Sequence, residues 1–289
     1  MLCLDYIKRG MRMNTKMEVL NTRDMAGNDL ENALVVMHNQ LARKQTKWNA
    51  RETKLFFTAL SQIKWRDSEN WVRLPKVDIV EKLGLDPRHS NELRSMFHSV
   101  MRKSLIKFDG STEEEWDDGF LITNIKSTKK EMFVQFNSVY LPLLDKLETH
   151  FTMFHLENVI GFKSKYAIVL FHDLKSRYNP EGVINHWRYK LDELKYLFNV
   201  QEGEYIRKTG RNKGIFDTAN FKIKTLDRAV EEINKDVVRS GMHIENVEVL
   251  KHRGRVVGYD IAFSLISKDG TRYNAELDEQ LSLFEEEQI

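Results

Sequence analysis

The same order of predicted elements occurs twice along the chain, and this repetition limits the possible folds more than any other feature. The first copy begins with ARETKLFFTALSQIKW (50–65), whose apolar residues follow helical spacing. A short extended stretch, NWVRLP (70–75), leads into a second predicted helix, KVDIVEKLGL (76–85). A longer amphipathic helix, NELRSMFHSVMRKSLIKF (91–108), precedes two strands joined by a basic turn, FLITNIKSTKKEMFVQF (120–136).

The second copy repeats this order between residues 164 and 265. Its apolar residues Leu191, Leu194 and Leu197 have the spacing of Val77, Val80 and Leu83, which indicates a constant offset of 114 residues. Its elements are a helix, a strand, a helix, a basic insertion that the first copy lacks, a third helix and a hairpin: SKYAIVLFHDLKSRY (164–178), INHWRY (184–189), KLDELKYLFNV (190–200), QEGEYIRKTGRNKGIF (201–216), DTANFKIKTLDRAVEEINKDV (217–237) and HIENVEVLKHRGRVVGYDIAFSL (243–265). This is the element order of a winged-helix domain.

One structural unit used twice accounts for the length of 289 residues without a long loop. We therefore predict an α+β fold made of two tandem winged-helix domains related by an internal pseudo-repeat. The predicted parts are an N-terminal extension, a first winged-helix domain, a second winged-helix domain and an acidic C-terminal tail: 1–32, 33–157, 158–267 and 268–289.

The charge distribution is uneven although the formal net charge is only +2. The last fourteen residues, 276–289, contain six acidic residues and no basic one, so residues 1–275 carry +8. Between Tyr205 and Arg228 there are seven basic residues and two acidic ones. Such a positive field suits a polyanion, of which nucleic acid is the common case, and a solvated charged face is the alternative.

The third helix of each copy has one apolar and one polar face when it is drawn at about 100° per residue. In the second copy the predicted inner face is Ile223, Leu226, Val230, Ile233 and Val237, and Phe221 falls outside it. The predicted DNA-contacting residues of that helix are Asn220, Lys222, Lys224, Thr225 and Arg228. In the first copy the inner face is Phe97, Val100 and Ser104, and the outward candidates are Arg94, His98 and Arg102. Arginine, lysine and asparagine at such positions can donate hydrogen bonds to base edges in a major groove.

Loops and hairpin tips add further basic residues that we predict to contact DNA phosphates or a minor groove. The candidates in the insertion are Arg207, Lys208, Arg211 and Lys213. Those in the hairpins are Lys129 and Lys130 in the first copy, and Lys251, Arg253 and Arg255 in the second.

Several classes of function lack their required motifs in this sequence. KTGRNKGIF does not have the spacing of a P-loop, and no His-x-His pair is present for a metal-dependent nicking enzyme. We interpret His150 and His155 as a coincidence of an amphipathic helix. Cys3 is the only cysteine, and no apolar run approaches the length of a membrane span. We therefore expect no catalytic residues, metal or cofactor, and a cytoplasmic location.

Four segments together resemble the iteron-binding replication initiators of theta-replicating plasmids. The longest is FNSVYLPLLDKLETHFTMFHLENVIGFKSKYAIVLFHDLKSRY (136–178), at the junction of the two copies. The others are VVMHNQLARKQTKWNARETKLFFTAL (35–60), NFKIKTLDRAVEEIN (220–234) and YDIAFSL (259–265). The resemblance covers roughly residues 33–266, and the basic insertion at 201–214 departs from it.

The resemblance implies a protein that binds direct repeats in double-stranded origin DNA as a monomer. It also implies a homodimer, formed through the first domain, that represses its own gene, and recruitment of host helicase and initiator ATPase. The principal major-groove helix would be residues 218–236, and the first domain would contact DNA mainly through the DNA backbone. A repressor without initiator activity and a nicking enzyme of plasmid replication are the alternatives.

Two further expectations concern partners and conformation. Gln280, Leu281, Ser282, Leu283 and Phe284 resemble the pentapeptide by which bacterial replication proteins bind the sliding clamp, so we predict host clamp as a partner. The apolar residues of 141–154 exceed what one solvent-facing helix tolerates, which predicts a conformational change around 140–165, with a plain core helix as the alternative.

Overall fold

The structure, a computed structural model, describes residues 33–44, 47–85, 90–107, 118–145, 147 and 150–272. The predicted N-terminal extension and the clamp-like pentapeptide lie outside these ranges. Among the described helices, none has the length and apolar character needed to cross a membrane.

The first unit contains the predicted helices and hairpin, with additional short strands. Its helices are α1 (Asn39–Ala42), α2 (Ala50–Leu60), α3 (Lys76–Leu83) and α4 (Ser90–Arg102), with 3-10 turns at Ile63–Trp65 and Ser138–Leu143. Its strands are β1 (Leu34–His38), β2 (Trp71–Pro75), β3 (Leu105–Lys107), β4 (Asp118–Phe120), β5 (Ile122–Ser127), β6 (Glu131–Phe136) and β7 (Phe151–His155). Antiparallel β2, β6 and β5 form its three-stranded sheet, and β3 pairs with β4.

The second unit has the same arrangement with a longer hairpin. Its helices are α5 (Leu156–Ile160), α6 (Lys165–Lys175), α7 (Leu191–Leu197), α8 (Thr218–Lys222), α9 (Arg228–Asn234) and α10 (Val237–Ser240), and a π-helical turn (Ile223–Asp227) joins α8 to α9. Its strands are β8 (Asn185–Lys190), β9 (Met242–His252) and β10 (Arg255–Leu265), in the antiparallel order β8, β10, β9. The α+β fold of two tandem winged-helix units is thus confirmed.

Helix ends fix the correspondence between the two units. Asn49 and Ser164 accept hydrogen bonds as N-caps of α2 and α6, and Pro75 and Lys190 hold the N-cap positions of α3 and α7. Both pairs are 115 positions apart, so the predicted offset of 114 is wrong by one residue. The prediction aligned Val77 with Leu191, whereas Val77 is 74% exposed.

The segment predicted as an amphipathic helix around residues 141–155 is instead a 3-10 turn followed by strand β7. Strand β7 pairs antiparallel with β1 in a two-stranded sheet, from Leu34 opposite His155 to His38 opposite Phe151. The helix prediction is therefore wrong here, because pairing with a strand more than a hundred residues away overrides the local pattern. The predicted conformational change of 140–165 stays a prediction.

Aromatic rings and a few polar contacts join the two units. Phe57 of α2 meets the His172 ring of α6 edge to face, with centroids 5.9 Å apart, and Phe154 of β7 meets Phe171 of α6 at 5.5 Å. Burial lowers the pKa of His172 to about 4, so this imidazole is neutral inside the interface. The Arg43 guanidinium donates to the Ser176 carbonyl at 2.6 Å and to its hydroxyl at 2.9 Å. The relative position of the units therefore rests on buried contacts.

Candidate nucleic-acid interface

The third helix of the second unit, residues 218–234, is interrupted by the π-helical turn. Asp217 caps its start, and the Asp217 carboxylate accepts a hydrogen bond from the Asn220 amide at 3.2 Å. Within the π-helical turn the Thr225 hydroxyl donates to the Phe221 carbonyl at 2.7 Å. Single π-turns inside α-helices are frequent at functional sites.

The π-helical turn explains why the predicted inner face of this helix differs from the buried face in the structure. Phe221, Leu226, Ala229 and Ile233 are all fully buried. In a regular α-helix Phe221 would lie far from the other three, but treating one residue of the π-turn as an insertion brings all four within roughly 60°.

Two residue assignments on this helix are corrected by the π-turn. Ile223, predicted to face the core, is 64% exposed. Thr225, predicted to contact DNA, is fully buried and uses its hydroxyl inside the helix. The inner positions of Leu226 and Ile233 are confirmed, and Val230 is half-buried.

The remaining candidates on this helix differ in how accessible they are. Lys224 and Arg228 are exposed, and Asn220 is half-buried one turn before Lys224. Arg228 lies 3.8 Å from Glu232, a contact across one helical turn at the surface. Lys222 is half-buried and forms an ion pair with Asp227. Lys224 and Arg228 are therefore the cations that this helix presents most openly.

The basic insertion, residues 201–216, is an ordered loop anchored to the third helix. The Arg207 amide donates to the Ile215 carbonyl, and the Gly214 amide donates back to Arg207, so the loop folds as a narrow hairpin. Near its base, Tyr205 and Phe216 each place their ring centroids 5.5 Å from that of Phe221. The insertion is thereby fixed beside the start of the third helix.

The charges of the insertion are distributed between its base and its tip. Arg207 pairs with Asp217 at 3.6 Å, next to the helix cap. Lys208, Arg211 and Lys213 are exposed toward the tip. At the base, the Tyr166 hydroxyl lies 3.4 Å from that of Tyr205, and burial raises the pKa of Tyr166 well above its ordinary value. The base of the insertion is thus packed and its arginine is paired, whereas the tip carries exposed cations.

The hairpin of the second unit, β9 and β10, ends in a two-residue turn. Arg253 and Gly254 both have positive φ, 48° and 77°, which is the geometry of a type I′ turn. Lys251, His252, Arg253 and Arg255 are all exposed around it. The tip can approach a phosphate backbone without moving any buried group.

The first unit has a weaker version of the same arrangement. Arg94 and Arg102 are exposed on α4, whereas His98 is half-buried. The predicted inner residues Phe97, Val100 and Ser104 are each 1% exposed, so the inner face is confirmed. In the turn between β5 and β6, Lys129 and Lys130 are exposed.

No metal centre emerges from the part of the chain that the structure describes. No group of three or more His, Cys, Asp or Glu side chains lies close enough there to hold a metal ion. Ile223 is an exposed residue of this interface that was not among the predicted DNA-contacting residues. The misplaced Phe221 was the available signal, since a core residue out of phase indicates an irregular helix.

Comparisons with known proteins agree with this architecture. Residues 34–175 match the model of a family described as "Initiator Replication protein, WH1". None of the curated proteins compared matches the chain. Among solved structures, the chain resembles the Pi initiator protein in complex with iteron DNA, with 15% identity and a TM-score of 0.62 over 81% of this chain and 98% of that one.

A second solved structure, domains 2 and 3 of RctB, is 14% identical over 75% of this chain and 80% of that one, with a TM-score of 0.44. The likeness to Pi, at its level of identity, shows a shared fold. The match of residues 34–175 includes the whole first winged-helix unit and continues through α6 of the second. The first winged-helix unit and the start of the second therefore match the initiator replication protein family.

Proposed function

We propose that the protein is a plasmid replication initiator that binds direct repeats, or iterons, in its origin. The observation that carries this proposal is the second unit, where three separate elements present exposed cations: the third helix, the insertion and the hairpin tip. The Pi initiator, which has the same fold, was solved in complex with iteron DNA. Lys224 and Arg228 would read bases in the major groove, and the loop cations would contact phosphates.

We propose that the free energy of DNA binding, and not a catalysed reaction, drives initiation. Several molecules bound to adjacent repeats bend the origin, which costs on the order of 1–6 kcal/mol by elastic estimates. Phosphate contacts by the exposed lysines and arginines offset that cost, so affinity should fall steeply as salt rises. The bent DNA favours opening of a neighbouring weak duplex and brings host helicase and initiator ATPase to it.

The binding proposal is tested with purified protein and duplexes carrying the direct repeats from the origin. We expect a mobility shift for the repeats that survives competition by scrambled duplex and weakens with salt. Equal binding to repeat and scrambled duplexes at every salt concentration would contradict sequence recognition.

The proposed domain boundaries at residues 157 and 267 are tested separately, by limited proteolysis of the same protein.

Two further assays separate the initiator from its alternatives. Supercoiled origin DNA incubated with the protein and a divalent metal should stay supercoiled, and a nicked product would favour the enzymatic alternative. Replication of an origin-bearing plasmid in a host that supplies the protein would separate an initiator from a repressor. We place this activity in the cytoplasm.

Two partner proposals concern regulation and recruitment. A homodimer formed through the first unit would repress the gene of the protein, and sedimentation across a concentration series, with and without repeat DNA, tests whether that dimer forms.

The pentapeptide Gln280–Phe284 would bind host sliding clamp through Leu283 and Phe284. In a titration with clamp, a Leu283→Ala, Phe284→Ala variant should lose binding while retaining its affinity for repeats. Equal clamp binding by both proteins would remove this contact from the mechanism.

A further inference from the structure

One apolar side chain lies among the exposed cations of the third helix of the second unit. Ile223 is 64% exposed, follows the first turn of the helix, and precedes Lys224 directly. Ala219, one turn earlier, is also exposed. A large aliphatic side chain in this position gains nothing for the fold, since it is not packed in the core.

The exposure of Ile223 is a consequence of how the helix is held. Phe221 is fully buried, with its ring 6.1 Å from Phe198 and 5.5 Å from both Tyr205 and Phe216. Thr225 is also fully buried and its hydroxyl is bonded to the Phe221 carbonyl. Phe221 and Thr225, two positions before and two positions after Ile223, both point inward. Ile223 therefore lies on the opposite, outward face of the helix. Turning Ile223 into the core would expel Phe221.

The chemistry of the surroundings indicates what this side chain contacts. A protein-docking patch would be expected to join several apolar residues, whereas Ile223 directly precedes the exposed Lys224 and lies about one turn from the exposed Arg228. A polyanion fits these cations. In the major groove, the C5-methyl of thymine is the apolar group that base edges present.

We infer that Ile223 is a specificity-determining residue that packs against a thymine C5-methyl group of the repeat. This inference rests on the proposed function, because it assumes that residues 218–234 enter the major groove. The neighbouring Asn220 and Lys224 supply hydrogen-bond donors for adjacent base edges. The helix thus reads one methyl group and nearby polar edges together.

The test replaces single thymines by uracil, which removes the methyl group and leaves base pairing intact. The duplex is one that the wild-type full chain selects from a randomised pool, and each thymine is replaced in turn. We expect one or two positions at which wild-type affinity falls about fourfold, the equivalent of one buried methyl group. At those positions Ile223→Ala should show no loss, and Ile223→Val should keep part of it.

Two matched controls complete the cycle. Lys224→Ala should bind more weakly overall while keeping the wild-type dependence on the methyl groups. Val139→Ala, which truncates a 68% exposed aliphatic side chain in the first unit, should leave both affinity and dependence unchanged. Unchanged thermal melting of each variant shows that folding is retained.

The possible outcomes separate the inference from the function on which it rests. If the wild-type chain selects no sequence from the pool, the proposed function fails. If it selects a sequence, and Ile223→Ala shows the same uracil losses as wild type at every position, the inference is overturned and repeat binding stands.

Discussion

The third helices of the two units have the same place in the fold but differ in regularity. Helix α4 runs without interruption from Ser90 to Arg102 and buries Phe97 and Val100 at ordinary helical spacing. Its counterpart follows a basic insertion whose aromatic residues pack on Phe221, and it accommodates Phe221 through a π-turn. The insertion therefore packs on Phe221, the residue after which the register of this helix departs from that of α4, and the two helices present different sets of side chains outward.

The hairpin of the second unit is also longer than the hairpin of the first unit. Strands β5 and β6 have six residues each, whereas β9 and β10 have eleven each. At about 3.3 Å per residue, the second hairpin extends roughly 36 Å and the first roughly 20 Å. The second unit therefore has both the less regular helix and the longer wing, which supports the proposal that this unit recognises the repeat.

The largest effect is expected from removing the aromatic anchor of each helix. Phe221→Ala and Phe97→Ala should each lower the free energy of unfolding by about 3–5 kcal/mol, because both truncate a fully buried ring. Only Phe221→Ala should also release the insertion, since Tyr205 and Phe216 lose their packing partner. Denaturant unfolding measures the first effect, and limited proteolysis between residues 201 and 216 measures the second. Equal protease sensitivity of this loop in both variants would contradict the proposed coupling.

A smaller effect is expected from the exposed arginines of the two helices. Arg228→Ala should cost about 1–3 kcal/mol for the repeat and relax its specificity, since a base-edge contact is lost. Arg94→Ala should weaken repeat and scrambled duplexes alike, as expected for a residue that contacts backbone. Competition titrations with both duplexes check these results. An unchanged preference in Arg228→Ala would remove base reading from this residue.

The contrast between the helices also shows how far the sequence alone could lead. Element order and the inner face of α4 were predictable, because apolar spacing and capping residues determine them locally. The exposure of Ile223 and the burial of Thr225 were not, since both depend on Phe221 meeting Tyr205 and Phe216 from the insertion. Strand β7 was missed for a similar reason, because its partner is β1 at the other end of the first unit.

The hairpin turns should differ in their tolerance of alanine. Gly254 has φ of 77° and an open space where a Cβ would lie, so Gly254→Ala carries only a backbone cost, about 1–2 kcal/mol of unfolding free energy. The first hairpin turns without glycine, and Lys129→Ala should change stability by less than about 0.5 kcal/mol. Thermal or denaturant unfolding of both variants checks this difference. A Gly254→Ala variant as stable as wild type would argue against the type I′ turn.

The smallest effect, and the one most specific to the comparison, concerns the cations at the hairpin tips. Arg253→Ala and Arg255→Ala each remove an exposed positive charge, so each should lower affinity by no more than about 1 kcal/mol and equally for repeat and scrambled duplexes. If each arginine contacts one phosphate, the slope of log affinity against log salt should become shallower by about 0.9. Lys129→Ala and Lys130→Ala serve as matched variants in the shorter hairpin, which reaches less far along the DNA. A salt slope that responds to Arg253 but not to Lys129 would assign phosphate contact to the second hairpin. The same change at both tips would mean that the difference in strand length does not decide which hairpin contacts the DNA backbone.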